Sequence, residues 1–300
     1  MTAPQLVSAR RLDRPIRPAR RRLPASRVVA RTASLVIVAV LLVIEVYPLF
    51  WLLMSSLKTQ DEFVAGQPFA LPRTLEWANY VTAIVDANFF HYVLNSAIAT
   101  IPSLAMIIVF GSAAGFALEV MVFRGRAGIL LLFLAGIMIP GQMILLPLFD
   151  AFYQLGLTGS LAPLIITYTA TGLPLTVFMM STFFRAIPRE VFEASTIDGA
   201  SMLRSFVSIG FPMVRNAIFT VALVQFFFIW NDLLIAITFT NSSDLGTIQV
   251  GLLNFSGQYG ATAYGPLLAA ISINVVGILV IYLFLNQRIM RGLAAGSVKG

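Results

Sequence analysis

The chain has no cysteine and a single histidine, His91. Disulfide scaffolding, thiolate metal sites and cysteine catalysis are therefore excluded. A metal site or catalytic triad built on imidazole would rest on that one residue. Charge is scarce as well: 11% of the residues carry it, against about 25% in an ordinary soluble chain. Hydrophobic residues make up 58%. A chain of 300 residues with so little charge cannot cover a water-facing surface, which excludes a soluble globular protein.

What is present instead is a set of long apolar runs: Ala33–Met54, Val93–Leu118, Gly128–Phe149, Leu161–Phe183, Ala217–Phe239 and Pro266–Gln287. Each is long enough to cross about 30 Å of hydrocarbon. Of 20 basic and 13 acidic residues, only Glu45 and Asp232 fall inside these runs. The expected fold class is an all-α membrane protein with six spans. The first run is not a cleaved signal peptide, because it lies behind a basic leader and lacks a small-residue cleavage site.

The basic residues fix an orientation. The leader, residues 1–32, carries nine arginines, from Arg10 to Arg31. The second loop adds Arg124 and Arg126, the fourth adds Arg185, Arg189, Arg204 and Arg215, and the tail adds Arg288, Arg291 and Lys299. Only Lys58 and Arg73, in the first loop, lie on the other side. The positive-inside rule then places both termini in the cytoplasm. The leader is rich in arginine and proline and poor in apolar residues, so disorder is expected there. Its arginines read as a topology signal that favours anionic membrane lipid, not as a nucleic-acid site.

Prolines interrupt several spans: Pro102, Pro140, Pro147 and Pro174. Backbone groups freed by proline in a membrane must be satisfied by protein or water, and broken helices often line a transport cavity. Gly111 and Gly115 form a small-residue face suited to close helix packing. Glu45 and Asp232 would each cost on the order of 3 kcal/mol if they faced lipid. Asp232 sits in the polar island Trp230–Asn231–Asp232. With Gln142, Gln225, Asn231 and Asn274 it forms a candidate translocation path for a polar solute, or else a set of interhelical hydrogen bonds. In the first loop, Leu75–Ile84 reads as a short surface helix and His91 as an interfacial residue.

The fourth loop, residues 184–216, is far longer than the second. Pro188 suits a helix first turn, and Glu190 complements the positive helix end. Asp198–Gly199 is a turn signal. Met202–Ile209 offers a second short helix, closed by Phe211–Pro212. A helix–turn–helix hairpin is expected, with Val191, Phe192 and Ile197 exposed beside charged residues. Such a hairpin suits docking by a soluble protein.

This loop resembles the signature loop of permease subunits of ATP-binding cassette importers. That pattern is Glu-Ala-Ala, three residues, Gly, nine residues, Ile, one residue, Leu-Pro. Here Glu193–Ala194–Ser195, Gly199, Ile209, Phe211 and Pro212 stand at the matching offsets. Ser195 replaces the second alanine and Phe211 replaces the leucine. The stretch Pro48–Lys58, the Trp230–Asn231–Asp232 island and the tail from Gly292 are similar to the carbohydrate-uptake branch. Within that branch the chain is similar to the second permease of maltose-type systems, from about Ala33 to Gly300.

The resemblance implies a type I importer permease, a six-helix transmembrane domain over residues 33–300 in a bacterial inner membrane. A second permease would complete the pore, and two copies of a cytoplasmic ATPase would dock below. An extracytoplasmic solute-binding protein would deliver a sugar. Pro188, Glu193, Ala194, Asp198, Gly199, Ile209 and Pro212 would couple to the ATPase, with Gly199 making the sharp turn. Gly296, Lys299 and Gly300 would reach toward it from the tail. ATP and Mg would sit on the partner, because this chain lacks a phosphate-cradling loop: Gly296 is followed by Ser297, not lysine. The permease itself would be no enzyme and would hold no cofactor or metal. The competing reading is an ion-coupled secondary transporter working without an ATPase.

Overall fold

A computed structural model describes residues 25–240, 243–255 and 262–297, with side chains described only between 31 and 284. The leader up to Pro24, Lys299 and Gly300 lie outside the described residues, and Gly296 is described as backbone only. The chain divides into two units, residues 1–50 and 51–300. The first holds most of helix α1 (Ala25–Ser55), which presents an apolar surface from Leu35 to Val46, with Glu45 exposed on it.

The second unit begins with short α2 (Gln60–Ala65) and α3 (Ala78–Val81), the latter continuing as a wide π-helical turn over Thr82–Asp86. The surface helix expected over Leu75–Ile84 is thus shorter and shifted. Two long helices follow, α4 (Phe89–Val120) and, after α5 (Arg126–Met138) and α6 (Gly141–Gln154), α7 (Ala162–Arg185). The third apolar run forms α5 and α6, with a bend of 95° between them at Ile139–Pro140. Pro140 has no N–H and holds an extended conformation before α6, so the helix cannot run through it. Pro102, Pro147 and Pro174 lie inside continuous helices instead.

Beyond α7 come α8 (Arg189–Ile197), α9 (Met202–Ser205), a π-helical turn at Phe206–Gly210 and α10 (Phe211–Met213). The chain then turns by 77° into α11 (Arg215–Trp230). The fifth apolar run is not one helix. It stops at Trp230 and resumes as α12 (Leu234–Phe239). Finally α13 (Ile248–Leu253) precedes the long α14 (Tyr264–Ser297). Among the described residues, four helices are long and apolar enough to cross a membrane, or up to six spans if each bent pair counts as one.

The α4–α7 pair is the spine of this unit. A Cβ built on Gly111 would lie 2.4 Å from Thr176 Cγ2, and one on Gly115 would lie 2.9 Å from the Ser181 backbone nitrogen. Glycine at both positions is what allows the two helices to approach so closely. At one end of the pair, Glu119 and Arg185 form an ion pair of 2.9 Å. At the other end, His91 Nε2 donates to the Asp244 carbonyl at 2.6 Å, and Asn95 Nδ2 donates to the carbonyls of Asp244 and Gly246. His91 therefore holds a loop onto α4.

Candidate functional site

The hairpin is built by local sequence signals. Pro188 is extended and stands as the N-cap of α8, one position earlier than expected, and Glu190 occupies the first turn. Gly199 takes φ +77°, a left-handed conformation that side chains with a Cβ disfavour. Its N–H donates to the Thr196 carbonyl, while the Ala200 N–H donates to the Ser195 carbonyl. These two bonds close the end of α8 as a Schellman motif. The Ser201 hydroxyl then accepts from the Arg204 N–H and starts α9. The second arm is not the expected helix over Met202–Ile209, because it widens into the π-helical turn at Phe206.

One face of α8 is open. Glu193, Ala194, Asp198 and Gly199 are exposed, as are Pro188 and Pro212, while Ile209 is half-buried. Ile197 is 86% exposed, as expected. Phe192 is not: it is only 6% exposed and packs on Phe116 of α4. The expectation of an exposed Phe192 is corrected, since its position one residue before Glu193 turns it to the inner face. Ser195 shares that face, with its Oγ 2.8 Å from Ser205 Oγ. The serine that replaces the family's alanine therefore joins the two arms. A cavity of about 400 Å³ opens beside Phe192, lined also by Glu119, Arg185, Arg189 and Glu193.

A Cβ added at Gly199 meets no atom within 4 Å, so Gly199→Ala tests backbone strain alone. It should destabilise the hairpin by about 1–2 kcal/mol, with Gly199→Asn costing less. Hydrogen exchange of the Thr196 to Ala200 amides reads this directly.

A second feature lies within the apolar region. Here α5, α6, α7, α11 and α12 border an open cavity of about 540 Å³ lined by Tyr168, Thr171, Gln225, Phe228 and Asp232. Of the five candidate path residues, Gln225 and Asp232 share this wall. Gln142 is exposed on α6, and Asn231 is exposed with its amide donating to the Phe227 carbonyl. Asn274 accepts from Trp230 Nε1 at 2.9 Å, which ties α14 to α11.

The wall's polar groups are largely spent on each other. Gln225 Nε2 donates to the Gly172 carbonyl at 3.0 Å and to Thr176 Oγ1 at 2.9 Å. Asp232 Oδ2 accepts from Tyr168 Oη at 2.9 Å and from the Ala236 N–H, in the first turn of α12, at 3.1 Å. Asp232 thus satisfies both the tyrosine and part of the broken helix end, as buried polar groups require. Sequence reading passed over Tyr168. The signal was available: a tyrosine deep in an apolar span needs a partner for its hydroxyl.

Residues 107–291 match the family described as the binding-protein-dependent transport system inner membrane component. The chain is 34% identical to the diacetylchitobiose uptake system permease protein NgcG of Streptomyces coelicolor, over 86% of this chain and 85% of that one. It is 31% identical to the melibiose/raffinose/stachyose import permease protein MelC of Bacillus subtilis, over 90% and 99% of the two chains. Its fold matches a chain of a bacterial ABC transporter involved in the import of the acidic polysaccharide alginate, with a TM-score of 0.75. That match has 18% identity and covers 88% of this chain and 98% of the other. The chain belongs to the binding-protein-dependent transport system inner membrane component family and is a membrane permease subunit of an ATP-binding cassette importer.

Proposed function

We propose that this permease forms one half of a carbohydrate pore in a bacterial inner membrane, with both termini in the cytoplasm. A second permease subunit completes the pore, and an extracytoplasmic binding protein supplies the sugar. Two copies of a separate ATPase, which carry the ATP and Mg, dock on the cytoplasmic face. Hydrolysis belongs to those partners, and the permease contributes the moving pathway. Relatives whose names specify diacetylchitobiose or melibiose, raffinose and stachyose support the carbohydrate class. The distribution of basic residues supports the orientation.

The single observation that carries this reading is the two-faced helix α8. Glu193 is exposed one residue after a buried Phe192, on a hairpin that matches the coupling-loop spacing. An exposed acid on a short amphipathic helix suits a basic cleft on the ATPase, with Ala194, Asp198 and Gly199 beside it. The solute path runs along the wall that Gln225, Asp232 and Tyr168 line. Nucleotide-driven closure of the ATPases moves the docked hairpin, and the bundle passes between inward- and outward-open states.

Co-purification with a co-expressed ATPase subunit tests the docking. Glu193→Lys should weaken retention of the ATPase at least about tenfold, as expected for a charge reversed at a complementary interface. Uptake of radiolabelled diacetylchitobiose, melibiose and raffinose into proteoliposomes tests the substrate class. Full retention of the ATPase by Glu193→Lys, or ATP-dependent uptake of none of the carbohydrates offered, would count against the corresponding half of the reading.

A further inference from the structure

We infer that Phe192 is the joint through which the docked hairpin moves the helix bundle, a positioning role separate from ATPase binding. The inference rests on the importer reading above and adds to it how force leaves the hairpin.

The geometry is specific. Phe116, on α4, sits at the centre of an aromatic cluster. Its ring centroid lies 5.4 Å from Phe184 on α7, 5.5 Å from Phe192 on α8 and 5.2 Å from Phe206 on the second hairpin arm. The first two contacts are edge-to-face, at 80° and 78°. One ring therefore touches the other long helix and both arms of the hairpin. Edge-to-face pairs are directional, so the cluster resists rotation as well as separation.

The hairpin itself is a unit. Ser195 Oγ and Ser205 Oγ link its arms at 2.8 Å in a buried setting. Its anchorage to the bundle is different. Among the described residues, no hydrogen bond or ion pair runs from residues 189–213 to α4 or α7. The bond that does cross at this end, Arg185 to Glu119, joins α7 to α4 and leaves the hairpin out. Apart from its two chain connections, the hairpin is therefore held by side-chain packing.

Its surroundings sharpen the point. Gly210 lies so close to the Phe116 ring that an added Cβ would sit 3.2 Å from it. One side of the joint is thus tightly filled. The other side faces the cavity of about 400 Å³ that Phe192 and Phe184 line. A joint packed on one side and open on the other transmits a push only through its filled side. Removing the Phe192 ring extends the void across the joint, so the hairpin can stay docked while the bundle fails to follow.

The test uses the complete transporter in proteoliposomes, with both permeases, the ATPase and the binding protein. Phe192→Ala should retain the ATPase at wild-type stoichiometry and hydrolyse ATP within about twofold of wild type, while sugar taken up per ATP falls about tenfold. Phe192→Leu, which refills most of the volume, should restore that ratio to within about threefold. Phe206→Leu supplies an independent variant on the other arm and should lower the ratio about threefold, whether or not Phe192→Ala assembles.

The natural absence of cysteine permits a second readout. Spin labels at exposed Thr196 and Val122 should give a distance distribution that broadens in Phe192→Leu, even where uptake changes little. Wild-type uptake per ATP in Phe192→Ala and Phe206→Leu would overturn the joint. Loss of the ATPase from Phe192→Ala would also overturn it, by making Phe192 part of the docking face. Failure of wild type to hold any ATPase would instead overturn the importer reading beneath it.

Discussion

Gly115→Leu should abolish the folded permease. A side chain at this position does not meet a flexible tip that could swing away. Its Cβ would lie 2.9 Å from the Ser181 backbone nitrogen, 2.8 Å from Met180 Cβ and 3.1 Å from the Met180 carbonyl carbon. Two of these three atoms belong to the backbone of α7, so relief requires the helices to separate. Separation would expose Ile107, Val177 and Met180, side chains of α4 and α7 that have no solvent exposure. Overpacking of a close-packed interior costs about 1–3 kcal/mol even where side chains can adjust. Leucine against backbone should exceed that range, and Gly115→Ala should fall within it.

Gly111→Ala should be milder, because its nearest contact is the Thr176 side chain, at 2.4 Å. Gly277→Ala, which meets nothing within 4 Å, is the control and should be neutral. Size-exclusion profiles and thermal melts in detergent read the series. Equal melting temperatures for Gly115→Ala and Gly277→Ala would sink the argument.

The Gly111 and Gly115 seam was legible in the sequence as a pattern, but its partner was not. Small residues four apart mark a face, and nothing local says that α7 meets it. The six apolar runs were legible for a simpler reason: hydrocarbon admits few charges, and the charges fall between the runs. Breaks within the runs were harder to locate. Pro140 ends a helix, whereas Pro102 and Pro174 pass through continuous ones, where neighbouring groups can take up the freed carbonyl. The break after Trp230 involves no proline at all.

The hairpin divides in the same way. Pro188, Gly199 and Ser201 act through their own backbone and near neighbours, so the turn could be read directly from the chain. Phe192 is fixed by Phe116, a ring on a different helix, and spacing alone left it on the wrong face. Ser195 differs from the family's alanine by one hydroxyl, whose role depends on Ser205 standing opposite it. Residues whose role depends on a distant partner are the ones that sequence reading misplaced or passed over, and Tyr168 is another.

Asp232→Ala should destabilise the broken fifth span, and Asp232→Asn should largely spare it. The carboxylate accepts from Tyr168, which is only 3% exposed, and from Ala236 at the start of α12. Alanine removes the one oxygen that accepts both bonds. An orphaned buried hydroxyl costs about 1–3 kcal/mol, and losing the bond at a helix start adds roughly 1 kcal/mol. Asparagine keeps one side-chain oxygen with the same reach, so most of both bonds survives. Tyr168→Phe removes the donor and leaves the helix start bonded, and should cost less than Asp232→Ala. The two sites are in contact, so their costs should not add. In the cycle of Tyr168→Phe, Asp232→Ala and the double variant, a coupling of at least about 0.5 kcal/mol is expected in thermal unfolding. Additive losses would mean that the 2.9 Å bond contributes nothing to stability. Uptake by Asp232→Asn separates the two roles of this wall: near-normal stability with slowed sugar uptake would place the charge itself on the path, while normal uptake would leave Asp232 as the brace that holds the cavity open.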